Sequence, residues 1–343
     1  MRSLAAGVLL VLALAARAEP PPSLPDAFWR RDVSQAPLDP QSAEIIAWLG
    51  AQGGFGLGHL QIDFSIEVLT ADDSTPFVPF QPTDDWYETE CDADPVPLPF
   101  GGALEGESGY ACESDGDCHL IVWHAPTRRL FEMWRANEVG STLYGGCLAI
   151  WDLAGRYGPF GRGEDCTSAD AAGFPIAPLL FDADEVAAGT IAHAIRFILP
   201  NARIRHDTYV SPASHATDAA SGGGSAPPYG VRLRLRADYP LDTLPNDGAR
   251  TVARALQRYG MLLADGGNVA LTARSDRFTA AKWDGLLGPR DLASIGVGSF
   301  EVVDGGERVQ WRGDCVRAPE ASGASFVALA MLGVRCSRRT RAS

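Results

Sequence analysis

A chain of 343 residues with 46% hydrophobic content can bury a sizeable core, as one large domain or two smaller ones. Its formal charge of −14 argues against a nucleic-acid partner, because gripping phosphates requires a basic surface.

The chain opens MRSLAAGVLLVLALAARAEP, with Arg2 ahead of an apolar run from Leu4 to Ala15 and small residues at Ala16 and Ala18. This is the three-part pattern of a secretory signal peptide over residues 1–18. The run is shorter than the roughly 20 residues a membrane span needs. Mature protein is expected from Glu19, exported to a secreted, periplasmic or cell-surface location. Residues 19–40 carry Pro20, Pro21, Pro22, Pro25, Pro37 and Pro40 without periodicity, the mark of a linker or extended arm. A single domain is expected over residues 41–316.

Within that domain, Ile45, Ile46 and Leu49 share one face of a short helix from Gln41 to Leu49. In LQIDFSIEVL, Leu60, Ile62, Phe64, Ile66 and Val68 alternate with polar residues, predicting a strand with one buried and one wet face. Residues 70–110 are dense in Pro, Asp and Gly and read as long loops. Strand signals recur at 119–123, 130–135, 147–153, 191–199, 208–210 and 231–237. In the last, Arg232, Arg234 and Arg236 take the polar side. An amphipathic helix is expected over Asp247–Tyr259, stopped by Gly260. Two short helices are expected over Thr279–Leu287 and Arg290–Ile295. Many strands, long loops and few helices, without a βαβ rhythm, predict a mainly β fold, a sandwich or jelly roll with a few helices in one large α+β domain.

Seven cysteines are present, and Cys336 sits in the C-terminal tail. The other six (Cys91, Cys112, Cys118, Cys147, Cys166 and Cys315) predict three disulfides in an exported chain. Cys112 and Cys118, closing a loop around ESDGD, are the nearest pair. No CxxC or Cys-His spacing suits zinc, and ESDGD lacks the spacing of an EF-hand loop. GxGxxG, Walker A, HExxH and GxSxG are absent, so no cofactor or metal is expected.

The candidate site rests on strands that place titratable groups beside apolar ones. Glu132 shares a face with Leu130 and Trp134, and His119 with Ile121 and Trp123. His193 shares one with Ile191, Ile195 and Phe197, while Arg196 takes the opposite face. Aromatic faces beside polar groups suit a sugar-binding groove. A glycosidase adds two carboxyl groups, about 5–10 Å apart. Glu132 is the candidate general acid, since aromatic neighbours raise its pKa, and Asp170 of CTSADAAGFP is its candidate partner. His193 is the third catalytic candidate. His119, Trp134, Arg196 and the loop residue His215 are candidate ligand-binding residues. Asp265, in LLADGGN, reads as a turn residue.

From about residue 115 to 304 the chain resembles a widespread group of exported bacterial proteins of unknown function. The resemblance is carried by DCHLIVWH, RLFEMW, TSADAAGFPIAPLLFDADEVAAGTIAHAIRF, YVSPASH, PPYGVRLRLRADY, ALQRYGMLLADGGN and FEVVD. It implies a secreted domain, in some members joined to carbohydrate-associated modules. Many relatives read Pro-Ala-Arg-His where this chain has Ser214, so an arginine role there is missing. The tail, 317–343, holds the apolar run SFVALAMLGV before Arg335, Arg338, Arg339 and Arg341. It resembles the sorting tails of some bacterial surface proteins, which implies surface or membrane attachment; an amphipathic helix or a frayed end fits the residues equally. The expected partner is extracellular glycan or a cell-envelope component. The expected function is action on glycan, as a glycoside hydrolase in its enzymatic form; the alternative is a non-catalytic surface, carbohydrate-binding or adhesion domain.

Overall fold

The computed structural model describes residues 27–114, 116–155 and 157–318. The signal-peptide and sorting-tail expectations fall outside these residues, apart from the first two of the tail. The fold is mainly β, with three α-helices among the described residues, as the strand-rich, helix-poor sequence predicts.

Along the chain, α1 (Ser42–Ala51) precedes β1 (Ile62–Ile66) and β2 (Leu69–Ala71). Next come β3 (Leu120–His124), β4 (Arg129–Trp134) and β5 (Cys147–Asp152), then α2 (Ala183–Ala187) and β6 (Ile195–Leu199). The series ends with β7 (Arg232–Leu235), α3 (Asp247–Arg258), β8 (Met261–Gly266), β9 (Leu271–Arg274) and β10 (Phe300–Val303). Two sheets dominate. One has six strands in the order β1-β9-β6-β8-β7-β10, with β1/β9 and β6/β8 parallel. The other has four, in the order β5-β4-β3-β2.

Helix α3 forms where its pattern predicts. The Asn246 side chain caps it by accepting from the Ala249 N–H at 2.8 Å, and Val252, Ala255 and Leu256 bury against the six-stranded sheet. Residues 279–287 and 290–295 form turns instead of helices. Asp276 and Asp291 bond backbone N–H groups there, and Gly285 takes φ 71, so local side-chain contacts outcompete the helical ladder. The strand expected over Leu60–Val68 divides, because Ile62–Ile66 joins the first sheet and the chain then crosses to the second at Leu69.

The polar side of β7 is not wet. Arg232 donates to the carbonyls of Phe28 and Arg31, and Arg234 donates to those of Val33 and Ala36 and pairs with Glu301. Residues 27–40 thus pack along the sheet, burying Trp29 and Val33, and Leu38 bridges to Val303.

The stretch 166–177 runs between the two sheets. Ala172 and Phe174 join the core of the six-stranded sheet, while Ala169, Ile176 and Ala177 pack on the inner face of the four-stranded one. Three disulfides tie the loops: Cys91–Cys147, Cys112–Cys118 and Cys166–Cys315. They fit an oxidising compartment. No helix among the described residues is long and apolar enough to cross a membrane.

Candidate functional site

The loop CTSADAAGFP is buried from Cys166 to Asp170 although it is polar, because its polar groups bond within the loop and to its neighbours. Ser168 Oγ accepts from the Asp170 N–H at 3.0 Å and donates to the Phe174 carbonyl at 2.6 Å. The Ala172 N–H donates to the Ala264 carbonyl, and Ser214 Oγ donates to that of Cys166. Gly173 has φ 78, and a Cβ there would sit 2.2 Å from Ser214 Oγ, so only glycine fits.

Two histidines grip the backbone on either side of Asp170. His119 lies 2.6 Å from Glu105 through Nδ1 and 3.3 Å from the Ala169 carbonyl through Nε2. Both partners are acceptors, so both nitrogens carry protons and the ring is an imidazolium. Burial opposes that charge, but Glu105 holds His119 up at about 9. His215 donates from Nδ1 to the Ala171 carbonyl at 2.7 Å. Burial pushes it down to about 4, so it stays neutral.

Asp170 is fully buried and meets Arg196 at two points, Oδ2 to Nε at 3.1 Å and Oδ1 to Nη2 at 2.9 Å. The same Nη2 donates to Asp265 at 3.1 Å, and Nη1 to Thr272 Oγ1 at 3.3 Å. Asp265 reaches this face through a register shift. Phe197 pairs with Leu263 but Ile198 pairs with Asp265, so Ala264 is the extra residue of a bulge. The bulge turns Asp265 to the side of the sheet that bears Arg196. The Gly266 N–H donates to Asp265 Oδ1 at 2.7 Å. Burial first, and then the Asp170 charge, push Asp265 up to about 7. The two carboxyls thus meet over one guanidinium, both pushed upward first by burial, and Asp265 is the member that reaches solvent, its side chain 23% exposed.

The rim around Asp265 is aromatic and acidic. Trp134 Nε1 donates to Asp117 at 2.5 Å, and the Trp134 and Tyr87 rings lie 6.1 Å apart. Both rings are partly exposed. The charge of Asp265 acts on Asp117 and on Tyr87.

The structure thus gathers His119, Asp170, Arg196, Trp134 and His215 around one locus. Glu132 and His193 stand apart. Glu132 is fully buried and accepts from the backbone N–H groups of Ile176 (2.9 Å) and Ala177 (2.8 Å) and from Trp151 Nε1 (3.1 Å). With Glu132 sealed and Asp170 locked on Arg196, this pair cannot perform glycosidase chemistry. His193 precedes its strand, which starts only at Ile195, so the expected face does not exist there. Its Nδ1 donates to the Ala194 carbonyl at 2.8 Å and its Nε2 lies 3.3 Å from Glu185. His215, read as a loop residue, is buried.

Sequence reasoning missed Asp265, Glu105, Asp117 and Tyr87. For Asp265 the signal was the apolar run MLLA leading straight into it, which marks a strand end better than a free turn. Among the described residues, the cluster of metal-type donors is Glu107, Cys112 and Cys118, and both cysteines are spent in a disulfide. Comparison with protein-family models, curated proteins and solved structures returned no match.

Proposed function

We propose that Asp265, Asp170 and Arg196 form the acid–base centre of an exported, glycan-active protein. The signal-peptide pattern and the three disulfides support export. The carrying observation is geometric: a partly exposed carboxyl and a buried one on a shared guanidinium, with two partly exposed aromatic rings at the rim. Arg196 and Asp170 hold Asp265 in place, and the proton sits on Asp265 at the solvent edge. Such a carboxyl can protonate a leaving oxygen or take a proton from an attacking hydroxyl. Trp134 and Tyr87 supply flat faces for sugar rings. His119 and His215 are positioning residues that fix Asp170 through the flanking carbonyls.

The test is a polysaccharide panel read for both release and binding, run on the mature protein and on Asp265→Asn. Turnover of the active polysaccharide should fall by about 10²–10⁴-fold in the variant while binding persists. Full turnover in Asp265→Asn rejects the acid–base assignment. Binding without turnover in the wild type leaves the adhesion reading in its place.

A further inference from the structure

A groove of about 910 Å³ shares one wall with the buried loop, through Gly173, Phe174 and Pro175. Its other walls are residues 27–31, Trp151, residues 153–155, 157–159 and 161, and Ser211-Pro212. None of the acid–base residues lines it, so it is a second place on the molecule.

Three observations describe its chemistry. Two aromatic pairs line it, Phe28 with Phe174 and Trp151 with Tyr157, each with ring centroids 5.2 Å apart. Phe28 and Tyr157 are partly exposed. No Asp or Glu occurs among its described lining residues, on a chain of net charge −14, whereas Arg30 and Arg31 are exposed along it. Beneath it lies Arg232, buried in β7. Its guanidinium is held by the carbonyls of Phe28 and Arg31 and, among the described residues, meets no carboxylate. Burial first, and then the charge of Arg31, pull Arg232 down to about 10. Arg31 and Arg232 thus place positive charge at one groove of an acidic protein, and among the described residues neither pairs with a carboxylate.

We infer that this groove binds an acidic sugar, with its rings on Phe28 and Tyr157 and its carboxylate on Arg31. Aromatic faces match the apolar faces of sugar rings, and a guanidinium matches a carboxylate in a bidentate fork. The volume suits a short oligosaccharide.

Isothermal titration of the mature protein decides it, using a galacturonic-acid trisaccharide, the neutral galactose trisaccharide and acetate as probes. The acidic trisaccharide should bind about tenfold or more tighter than the neutral one, and Arg31→Gln should remove about tenfold of that affinity. Tyr157→Ala should weaken both sugars. Trp134→Ala, which removes an aromatic face at the acid–base centre, should leave all three titrations unchanged, which separates this site from that centre. Arg31 is exposed, so Arg31→Gln tests the groove without threatening the fold. Equal affinity for the two sugars, no binding of the acidic one, acetate binding as tight as the sugar, or wild-type affinity in Arg31→Gln would each overturn the inference.

Discussion

Replacing Glu132 by alanine tests whether this carboxylate builds the fold or performs chemistry. Three buried donors converge on it: the N–H groups of Ile176 and Ala177 and the Trp151 indole. Stranding each costs about 1–3 kcal/mol, or roughly 3–9 kcal/mol together. Against that, burial pushes the Glu132 carboxyl from 4.5 up to about 7, so removing the charge at neutral pH returns about 3 kcal/mol. The balance is about 0–6 kcal/mol, and its centre near 3 kcal/mol lowers Tm by roughly 6–12 °C in a domain of this size. Glu132→Gln keeps one acceptor oxygen but turns an NH₂ toward an N–H donor, so it should fall in between. The pH dependence carries a sign. A carboxyl whose folded pKa is raised is charged at a cost, so wild-type stability declines as pH climbs from 4.5 to about 7, and Glu132→Gln loses that part of the slope. Denaturant melts of both variants across that window measure it. If Glu132→Ala melts within about 2 °C of wild type yet abolishes turnover, the structural assignment fails and Glu132 is catalytic after all.

Other expectations follow from the same geometry. His193→Ala should lose about 1–3 kcal/mol by stranding its partners, while ligand binding is unchanged; a thermal melt and a binding assay on one sample check both. Asp265 is raised from 3.8 to about 7, so its ionisation costs stability as pH rises through that range. Asp265→Asn should therefore raise Tm at about pH 8.5 and leave it nearly unchanged at about pH 3; a variant destabilised at both contradicts the dyad. Thiol titration of denatured, unreduced mature protein should find at most the tail thiol, Cys336, and two or more reactive thiols per chain would contradict the disulfide set.

Much of the local structure was legible because it depends on neighbours in sequence. Helix α3 follows from its periodicity and its Asn246 cap. Pairing Cys112 with Cys118 needed only six residues of chain. The parity of β3 and β4 placed His119, Glu132 and Trp134 with the apolar residues that now form one inner face. The arginine stripe of β7 misled for a complementary reason. Alternation says that a face is polar, but water and a row of backbone carbonyls satisfy arginines equally well. Only the packing of residues 27–40 decides between them, and that contact spans some 200 residues of chain.

The candidate site was legible as a set of residue types and illegible as an arrangement. Asp265 was set aside because Asp-Gly-Gly is a turn signal, and a turn does follow it. What propensity cannot show is the one-residue bulge at Ala264, which turns the carboxyl toward Arg196. Glu132 was chosen because aromatic neighbours raise a carboxyl, and it is indeed pushed up to about 7. Asp265 reaches the same value, so a shifted pKa does not separate the two. Hydrogen-bond saturation does. Both Glu132 oxygens are occupied by N–H donors from the folded chain, leaving no lone pair for a substrate. Asp265 accepts from Arg196 through Oδ2 and from the Gly266 N–H through Oδ1, one bond to each oxygen, and its side chain keeps an edge in solvent. The two histidines repeat the lesson. His119 and His215 do the same mechanical job on the carbonyls flanking Asp170, yet one is charged and one neutral. The difference is a carboxylate at 2.6 Å from one ring, whereas the nearest to the other is Glu90 at 3.8 Å. In a buried polar cluster, the residue that can act on a ligand is the one whose bonding capacity the fold has left unfinished, and in this cluster that residue is Asp265.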